Sequence, residues 1–232
     1  MTGVPLLRLL SYNIRSMRDD RSALARVISA AEPDVVCVQE APRFLRWRST
    51  CAALARTSGL VVVGGGRPAG ANLIMSTLSV DVDAVHDVAF SPDPGLHQRG
   101  AAIAVLRFGG ATFAVAGTHL DLKPEPRLRH AGELDAAIGR LVPSGVPTVV
   151  AADVNDHPGS AAWTALTASR LDAFATAGVG SAFTSTATRP HQTIDGVFVD
   201  RAITVRSAQV VDGPDVLVAS DHRPMIVELE LP

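Results

Sequence analysis

The sequence predicts an α/β protein in which two packed sheets are flanked by helices. Its 232 residues are 47% hydrophobic and 19% charged, a composition typical of a folded globular chain. The chain opens with a strand, a helix and a strand, whereas its middle and end are dominated by strand-like runs. Because no linker interrupts these elements, we expect a single domain over residues 1–232, with two sheets rather than one parallel sheet.

The first three elements form a strand, helix, strand unit. Residues 6–14 and 35–39 are apolar runs typical of strands, the second of them buried. Between them, Asp19 or Ser22 can cap a helix that Pro33 ends. This helix has the length of a right-handed crossover between two parallel strands.

Strands and helices then alternate to the end of the chain. A helix is predicted over residues 44–56, and Gly109 with Gly110 predicts a hairpin turn. A second long helix is expected over residues 127–141, a short one over 160–166, and a loop rich in Ser, Thr and Gly over 178–193. The remaining predicted strands are residues 60–63, 72–76, 80–88, 101–108, 112–117, 148–152, 194–199, 203–211 and 225–231.

Charge and hydropathy exclude several classes of protein. The formal net charge of -2 provides no overall positive field, which disfavours a protein that coats nucleic acid without sequence preference. No apolar run reaches the ~18 residues of a membrane-spanning helix, and the first residues lack the features of a signal peptide. We therefore expect a soluble, cytoplasmic protein with no membrane span and no obligate protein partner.

The two cysteines have no spacing typical of zinc or redox chemistry. Cys37 lies in an apolar strand-like run and Cys51 in a helix-like stretch, so we expect both to be reduced and buried. Residues 64–66 are three glycines, but no Lys-Ser or Lys-Thr follows them, which excludes a phosphate-binding loop and leaves a turn.

Acidic, amide and imidazole side chains recur where strand-like runs end. The runs are LLSYN, VVCVQE, AVAGTHLD, VVAADVN, TIDGV and LVASDH. Strand ends place side chains at the rim of a sheet rather than in its core, so six such ends in one chain predict a functional site. The residues concerned are Asn13, Glu40, His119, Asp153, Asn155, Asp195, Asp221 and His222.

The chemistry of this set favours phosphate hydrolysis assisted by a metal ion. Glu40 together with nearby Asp and Asn oxygens offers the incomplete oxygen coordination that Mg²⁺ prefers, which leaves positions for water and a phosphate. Two histidines without cysteines at zinc spacing are more typical of phosphate binding or proton transfer than of a structural zinc site.

In the order and spacing of SYNI, VQEA, GTHLD, ADVN, TIDGVF and SDHRP, the sequence resembles the endonuclease/exonuclease/phosphatase superfamily, which has the deoxyribonuclease I-like fold. The resemblance runs from Leu9 to Leu231. Taken singly, each motif residue has a structural alternative such as a turn or a cap, but separate accidents would not occur in one family's order. The resemblance implies a four-layer α/β/β/α sandwich with its site between the sheets.

The resemblance also implies a role for each residue on the metal side of the site. Glu40 would hold the divalent cation, Mg²⁺ or Mn²⁺. Asn13 would support that carboxylate and the phosphate, and Asp221 would complete the network. Some nucleases of the superfamily have a further acidic residue two positions after the first asparagine, where this chain has Arg15. That departure disfavours the abasic-site nucleases.

The remaining implied roles concern water and phosphate. Asp153 would orient and deprotonate the attacking water, and Asn155 would hold Asp153 and a phosphate oxygen. His222, oriented by Asp195, would contact the phosphate and stabilise the developing charge. His119 would bind a phosphate oxygen from the other side.

Several basic residues outside the motifs are candidates for substrate binding. Arg99 can reach the site or form a salt bridge. Arg189, like its neighbours before Asp195, can contact substrate or be a solvated loop charge. At helical spacing Phe44, Trp47 and Cys51 should be core, which leaves Arg43, Arg46 and Arg48 as a solvated face rather than a nucleic-acid patch.

These inferences predict a divalent-metal-dependent phosphoesterase that hydrolyses phosphodiester or phosphomonoester bonds. Its substrate would be DNA, RNA, a phospholipid or a small phosphate ester, and the sequence does not choose between a nuclease and a small-molecule or lipid phosphoesterase. The alternative is a catalytically silent interaction module with the same fold.

Overall fold

Two mixed β-sheets pack face to face and carry helices on their outer faces. The structure, a computed structural model, describes residues 4–232. The first three residues, which belong to the segment predicted to lack a signal peptide, lie outside the described residues. The strands are β1 (Leu6–Asn13), β2 (Val35–Gln39), β3 (Val61–Gly66), β4 (Asn72–Ser76), β5 (Asp81–Ala89), β6 (Gly100–Phe108), β7 (Ala111–His119), β8 (Thr148–Asp153), β9 (Arg170–Asp172), β10 (Gly178–Val179), β11 (Asp195–Asp200), β12 (Thr204–Val210) and β13 (Met225–Glu230). The helices are α1 (Arg21–Ala30), α2 (Trp47–Thr57), α3 (Pro124–Leu141), α4 (Ala161–Thr167), α5 (Ala173–Ala177) and α6 (Val216–Ala219).

The two sheets have matching centres. The first sheet has the order β10-β12-β13-β1-β2-β4-β3 and the second β5-β6-β7-β8-β11-β9. In each sheet the strands pair antiparallel except at the centre, where β1 is parallel to β2 in the first sheet and β7 is parallel to β8 in the second. The short edge strand β10 also pairs parallel with β12. In the central pairs Asn13 lies opposite Gln39 and His119 opposite Asp153. In both sheets, therefore, the central parallel strands have polar side chains at their carboxyl ends.

Three apolar clusters separate the four layers. One lies between the sheets and includes Leu9, Cys37 and Phe113. A second packs the first sheet against α1 and α2, and a third packs the second sheet against α3 and α4. The predicted α/β/β/α sandwich is confirmed. Among the described residues, no helix is long and apolar enough to cross a membrane.

Most local predictions agree with the observed elements. Gly109 and Gly110 both have positive φ, as a tight hairpin turn between β6 and β7 requires. Cys37 and Cys51 are buried free thiols, as predicted. The cap of α1 is Asp20, rather than Asp19 or Ser22, because its carboxylate accepts hydrogen bonds from the Ser22 and Ala23 amides at 2.8 and 2.9 Å.

Other local predictions are wrong. The three glycines at 64–66 form the end of β3 rather than a turn, and the turn follows as a 3-10 helix over Arg67–Ala69. The predicted loop over 178–193 begins within β10, and β9, α5 and α6 were not predicted. Phe44 is exposed rather than core, because α2 begins only at Trp47.

The packing between the sheets provides a test of the fold. Phe113 is fully buried between them. We expect Phe113→Ala to lower the free energy of unfolding by about 3–5 kcal/mol, because it removes a large buried side chain and leaves a cavity. Leu78→Ala, in the exposed turn between β4 and β5, is the control and should change it by less than about 0.5 kcal/mol. Urea titration followed by circular dichroism measures both, and equal effects would contradict the assigned core.

Candidate active site

The predicted site residues meet where the central strands of the two sheets end. Asn13 ends β1, Glu40 follows β2, and His119 and Asp153 end β7 and β8. Asp195 begins β11 directly opposite Asp153. A cleft of about 310 Å³ opens at this edge. Its lining includes Glu40, Arg99, His119, Asp153, Asn155 and His222.

Two of the predicted site residues that line the cleft have a left-handed backbone conformation. Glu40 has φ 52° and Asn155 has φ 54°, directly after β2 and just after β8. Such a conformation ends a strand sharply, and for Glu it costs on the order of 1 kcal/mol or more. The Glu40 carbonyl accepts a hydrogen bond from the Ser16 amide at 2.8 Å. The backbone amide of Asn155 donates to Oδ1 of Asp153 at 3.1 Å. These bonds hold both residues beside the cleft.

Asn13 links the carboxylates of the two sheets. Its Nδ2 donates to Oδ2 of Asp153 at 2.7 Å and to Oε1 of Glu40 at 3.3 Å. Its Oδ1 accepts a hydrogen bond from the Arg15 amide at 3.0 Å, which fixes the orientation of the Asn13 amide. Asn13 therefore positions Glu40 and Asp153 relative to each other.

Asp153 is a fully buried carboxyl at the centre of the site. Burial raises its pKa, and so does the negative charge of Asp195, whereas His119, His222 and the hydrogen bond from Asn13 oppose the rise. A carboxylate with a raised pKa is a better proton acceptor, and this property suits a general base.

His222 and Asp195 form a buried pair. Nδ1 of His222 lies 2.9 Å from Oδ2 of Asp195. Burial opposes the charged ring, but Asp195 outweighs it, with help from Asp153 and Asp221, and the pKa of His222 is raised to about 10. Nδ1 therefore donates to Asp195, and Nε2 carries the other proton on the side of Asp153 and the cleft. His222 is a cationic donor suited to a phosphate oxygen.

His119 has the opposite protonation state. Burial lowers its pKa to about 4, although Asp153 favours the charged ring. Nδ2 of Asn155 donates to the Leu120 carbonyl at 3.0 Å and lies 2.8 Å from Nε2 of His119. Because the amide nitrogen is thereby fixed as a donor, Nε2 of His119 is the acceptor and the ring is neutral.

Arg99 reaches the cleft and also forms an ion pair. Its Nε lies 3.6 Å from Oδ2 of Asp121, and both side chains are buried. Oδ1 of Asp121 accepts a hydrogen bond from the Lys123 amide at 2.9 Å, which orients the carboxylate. Asp121 was not predicted as a site residue, although it ends the GTHLD motif. Arg99 therefore both lines the cleft and forms a salt bridge, so the two predicted alternatives for this residue are compatible.

Four predicted residues lie outside the cleft lining, and two of them, Asn13 and Asp195, hydrogen-bond to lining residues. Arg189 is exposed in the loop before β11. Asp221 forms an ion pair with Arg15, whose Nε lies 3.3 Å from Oδ2 of Asp221. Arg15 also lies 3.3 Å from Asp19. The arginine that replaces an acidic residue thus engages Asp221.

The donor set fits a divalent cation at Glu40. Within residues 4–232 the Glu40 carboxylate has one hydrogen bond, the 3.3 Å contact with Asn13, and it lines the cleft. Atoms of Asp153, Asp195 and His222 also lie within 4.8 Å of one another. That second group is a hydrogen-bonded network around a protonated ring, which is not a metal ligand. Glu40 is the better candidate.

Comparison with known proteins identifies the family. Residues 10–222 match the model of the Endonuclease/Exonuclease/phosphatase family. No curated protein matches the sequence significantly. Similar solved structures include an endonuclease/exonuclease/phosphatase from Bacteroides vulgatus, with a TM-score of 0.84 and 22% identity over 98% of this chain and 99% of that one.

Two further structures show the same fold. A mannosyl-6-phosphatase from Bacteroides thetaiotaomicron has a TM-score of 0.83 at 17% identity, over 96% of this chain and 99% of that one. TDP2 from D. rerio, complexed with single-strand DNA product, has a TM-score of 0.77 at 17% identity, over 97% and 98%. The fold is therefore shared by a phosphatase and by a protein that holds a DNA product.

The two site histidines should titrate in opposite directions. In heteronuclear NMR, we expect His222 to lose its proton only near pH 10 and His119 to stay neutral down to about pH 4. Asp195→Asn should lower the pKa of His222 toward its ordinary value near 6.5, because it removes the partner carboxylate. Asp200→Asn, at the other end of β11, is the matched control and should leave His222 unchanged. An unshifted His222 in Asp195→Asn would contradict the pairing.

Proposed function

The chain belongs to the Endonuclease/Exonuclease/phosphatase family, and from this premise we propose that it is a divalent-metal-dependent phosphoesterase. It hydrolyses phosphodiester or phosphomonoester bonds by in-line attack of a water molecule. The observation that carries the proposal is the convergence on one cleft of a buried carboxylate, a cationic imidazole and a weakly engaged Glu. These are the base, the charge-stabilising donor and the cation ligand that the reaction needs.

Asp153 is the proposed general base. It accepts a proton from the water while the water oxygen forms a bond to phosphorus and the bond to the leaving oxygen breaks. The side-chain amide of Asn13 keeps Oδ2 of Asp153 in place at 2.7 Å, and the backbone amide of Asn155 holds Oδ1 at 3.1 Å. No covalent enzyme intermediate is required, since water is the nucleophile.

The two histidines have different proposed roles. His222, held as a cation by Asp195, donates from Nε2 to a phosphate oxygen whose negative charge grows in the transition state. His119 is neutral, and its Nε2 accepts from the side-chain amide of Asn155, so it holds that side chain in the lining of the cleft. Arg99 adds a fixed positive charge to the same cleft.

Glu40 is the proposed ligand of Mg²⁺ or Mn²⁺. When bound, the ion would neutralise charge on the phosphate and on the leaving oxygen. Asn13 acts through Glu40, because its amide nitrogen donates to that carboxylate. Asp221, also predicted on the metal side, has its charge compensated by Arg15, which leaves Glu40 as the proposed ligand.

Two substrate classes occur among proteins that share this fold. TDP2 holds a DNA product and the Bacteroides thetaiotaomicron protein is a mannosyl-6-phosphatase, so the fold accommodates both a nucleic acid and a sugar phosphate. We propose a phosphoesterase rather than a silent interaction module, since a silent module has no need to retain both the Asn13–Asp153 bond and the His222–Asp195 pair.

Asp153→Asn tests the general base. We expect the rate of phosphoester hydrolysis to fall about 10²–10⁴-fold, because the amide cannot accept the water proton. The assay uses Mg²⁺ or Mn²⁺ with bis-p-nitrophenyl phosphate, p-nitrophenyl phosphate, plasmid DNA, single-stranded RNA and a phospholipid in parallel. EDTA should abolish the same activity, and an unchanged circular dichroism spectrum controls for folding. Turnover at the wild-type rate in Asp153→Asn would refute the mechanism.

Glu40→Gln tests the cation ligand. The uncharged amide binds divalent cations more weakly, so we expect half-maximal activity to require at least tenfold more Mg²⁺ or Mn²⁺. The control is Glu125→Gln, since Glu125 is exposed in the first turn of α3. A metal titration of Glu40→Gln that coincides with the wild-type curve would remove Glu40 from the proposed role.

A further inference from the structure

Large apolar side chains are exposed at the mouth of the cleft. Among residues 4–232, the four most exposed large hydrophobic side chains are Leu45 at 93%, Leu78 at 87%, Phe44 at 72% and Leu122 at 69%. Phe44 and Leu122 line the cleft itself, and Leu45 follows Phe44 in the loop before α2. Three of these four residues therefore form an apolar rim beside the proposed active site. Such clustering is typical of a binding surface rather than of scattered surface hydrophobics.

A set of arginines accompanies this rim. A shallow groove of about 630 Å³ adjoins the cleft, shares Arg43 and Phe44 with it, and is lined without an acidic side chain. Its basic residues are Arg43, Arg46, Arg48 and Arg67. Within the described part of the chain none of the four forms an ion pair. In a protein of net charge -2, this is a local positive surface with uncompensated charge.

The Trp47 ring of the groove is already covered. The Arg48 guanidinium lies 4.3 Å from the centre of the Trp47 ring, and a methyl group at Gly66 would lie 2.3 Å from Cζ3 of the same ring. The Arg43 guanidinium lies 5.4 Å from the centre of the Phe44 ring. Stacked nucleic-acid bases need free aromatic faces, and of the three exposed side chains Phe44 has one ring to offer, whereas Leu45 and Leu122 have none. Exposed Phe and Leu side chains among arginines fit an anionic lipid surface better.

We propose that this apolar and basic rim docks on the surface of an anionic phospholipid membrane. The rim comprises Phe44, Leu45 and Leu122 with the four arginines. Phe44 and Leu45 enter the boundary between headgroups and acyl chains, and the guanidinium groups pair with lipid phosphates. Because Arg43, Phe44 and Leu122 of the rim line the cleft, docking presents phosphoesters of that surface to Asp153. This last step, which names the substrate class, rests on the proposed function.

Vesicle flotation tests the docking directly. We expect the wild-type chain to float with vesicles of phosphatidylcholine and phosphatidylglycerol, and to float much less with phosphatidylcholine alone. Leu45→Ser should lower the partition coefficient about tenfold, since a Leu side chain loses its burial in the membrane. Arg46→Gln should lower it about fivefold, an effect that high salt should abolish. Leu78→Ser, equally exposed but in the turn between β4 and β5, is the matched control and should bind like wild type.

Tryptophan fluorescence gives a second measurement. Trp47 lines the groove, whereas Trp163, the other tryptophan of the sequence, is buried against Phe198. Anionic vesicles should therefore shift the emission of Trp47 to shorter wavelength, and a Trp163→Phe variant should retain the shift. The docking proposal is overturned if anionic vesicles neither float the protein nor shift its emission. It is equally overturned if a single-stranded oligonucleotide binds more tightly than vesicles and Leu45→Ser leaves vesicle binding unchanged.

Asp153→Asn separates this proposal from the proposed function. This variant should float with anionic vesicles as the wild type does, because the carboxylate is buried in the cleft and takes no part in docking. If the wild-type protein binds vesicles but hydrolyses no phosphoester, the docking surface is upheld and the phosphoesterase is refuted. Hydrolysis of soluble esters without vesicle binding would uphold the phosphoesterase and refute the docking surface.

Discussion

The site depends on one hydrogen bond between the two sheets, the 2.7 Å contact from Asn13 to Asp153. Asn13 ends β1 in one sheet and Asp153 ends β8 in the other, so the bond joins the two sheet edges at the site. A fully buried carboxylate without such a donor would carry a large desolvation penalty. The same Asn13 amide also reaches Glu40, and the position of the proposed cation ligand therefore depends on the contact that holds the proposed base.

The two histidines show how their surroundings divide two roles between identical side chains. Both rings are buried within reach of Asp153, at 3.4 Å for His119 and 3.9 Å for His222. Only His222 has a second carboxylate, Asp195, on its other nitrogen, and this partner outweighs burial. His119 instead faces the side-chain amide of Asn155, which is a neutral hydrogen-bond donor and not a carboxylate. One ring is therefore a cation and the other a neutral acceptor.

The runs of strands were sufficient to predict two packed sheets flanked by helices, and the family resemblance added the four-layer arrangement. Polar residues at strand ends were sufficient to select the side chains that meet at the cleft, because strand ends lie at the rim of a sheet. The sequence was insufficient where a single backbone conformation decides the outcome. Phe44 was predicted to be core on helical spacing, but Arg46 has φ 61° before α2, and helical periodicity does not extend to Phe44. α5 and α6 span only five and four residues, too few for a periodic signal. Asp121 could have been found from its motif, but its pairing with Arg99 requires the fold.

The charge balance of the cleft supports Glu40 as the proposed cation ligand. An acidic residue at position 15 would add a carboxylate next to Asp221, and the two together would form a second place for a cation. Arg15 instead lies 3.3 Å from Asp221 and compensates its charge. Asp195 is compensated in the same way by His222. Glu40 is therefore the cleft carboxylate that is neither engaged by a cationic side chain nor assigned to proton transfer, and an added cation would gain most beside it.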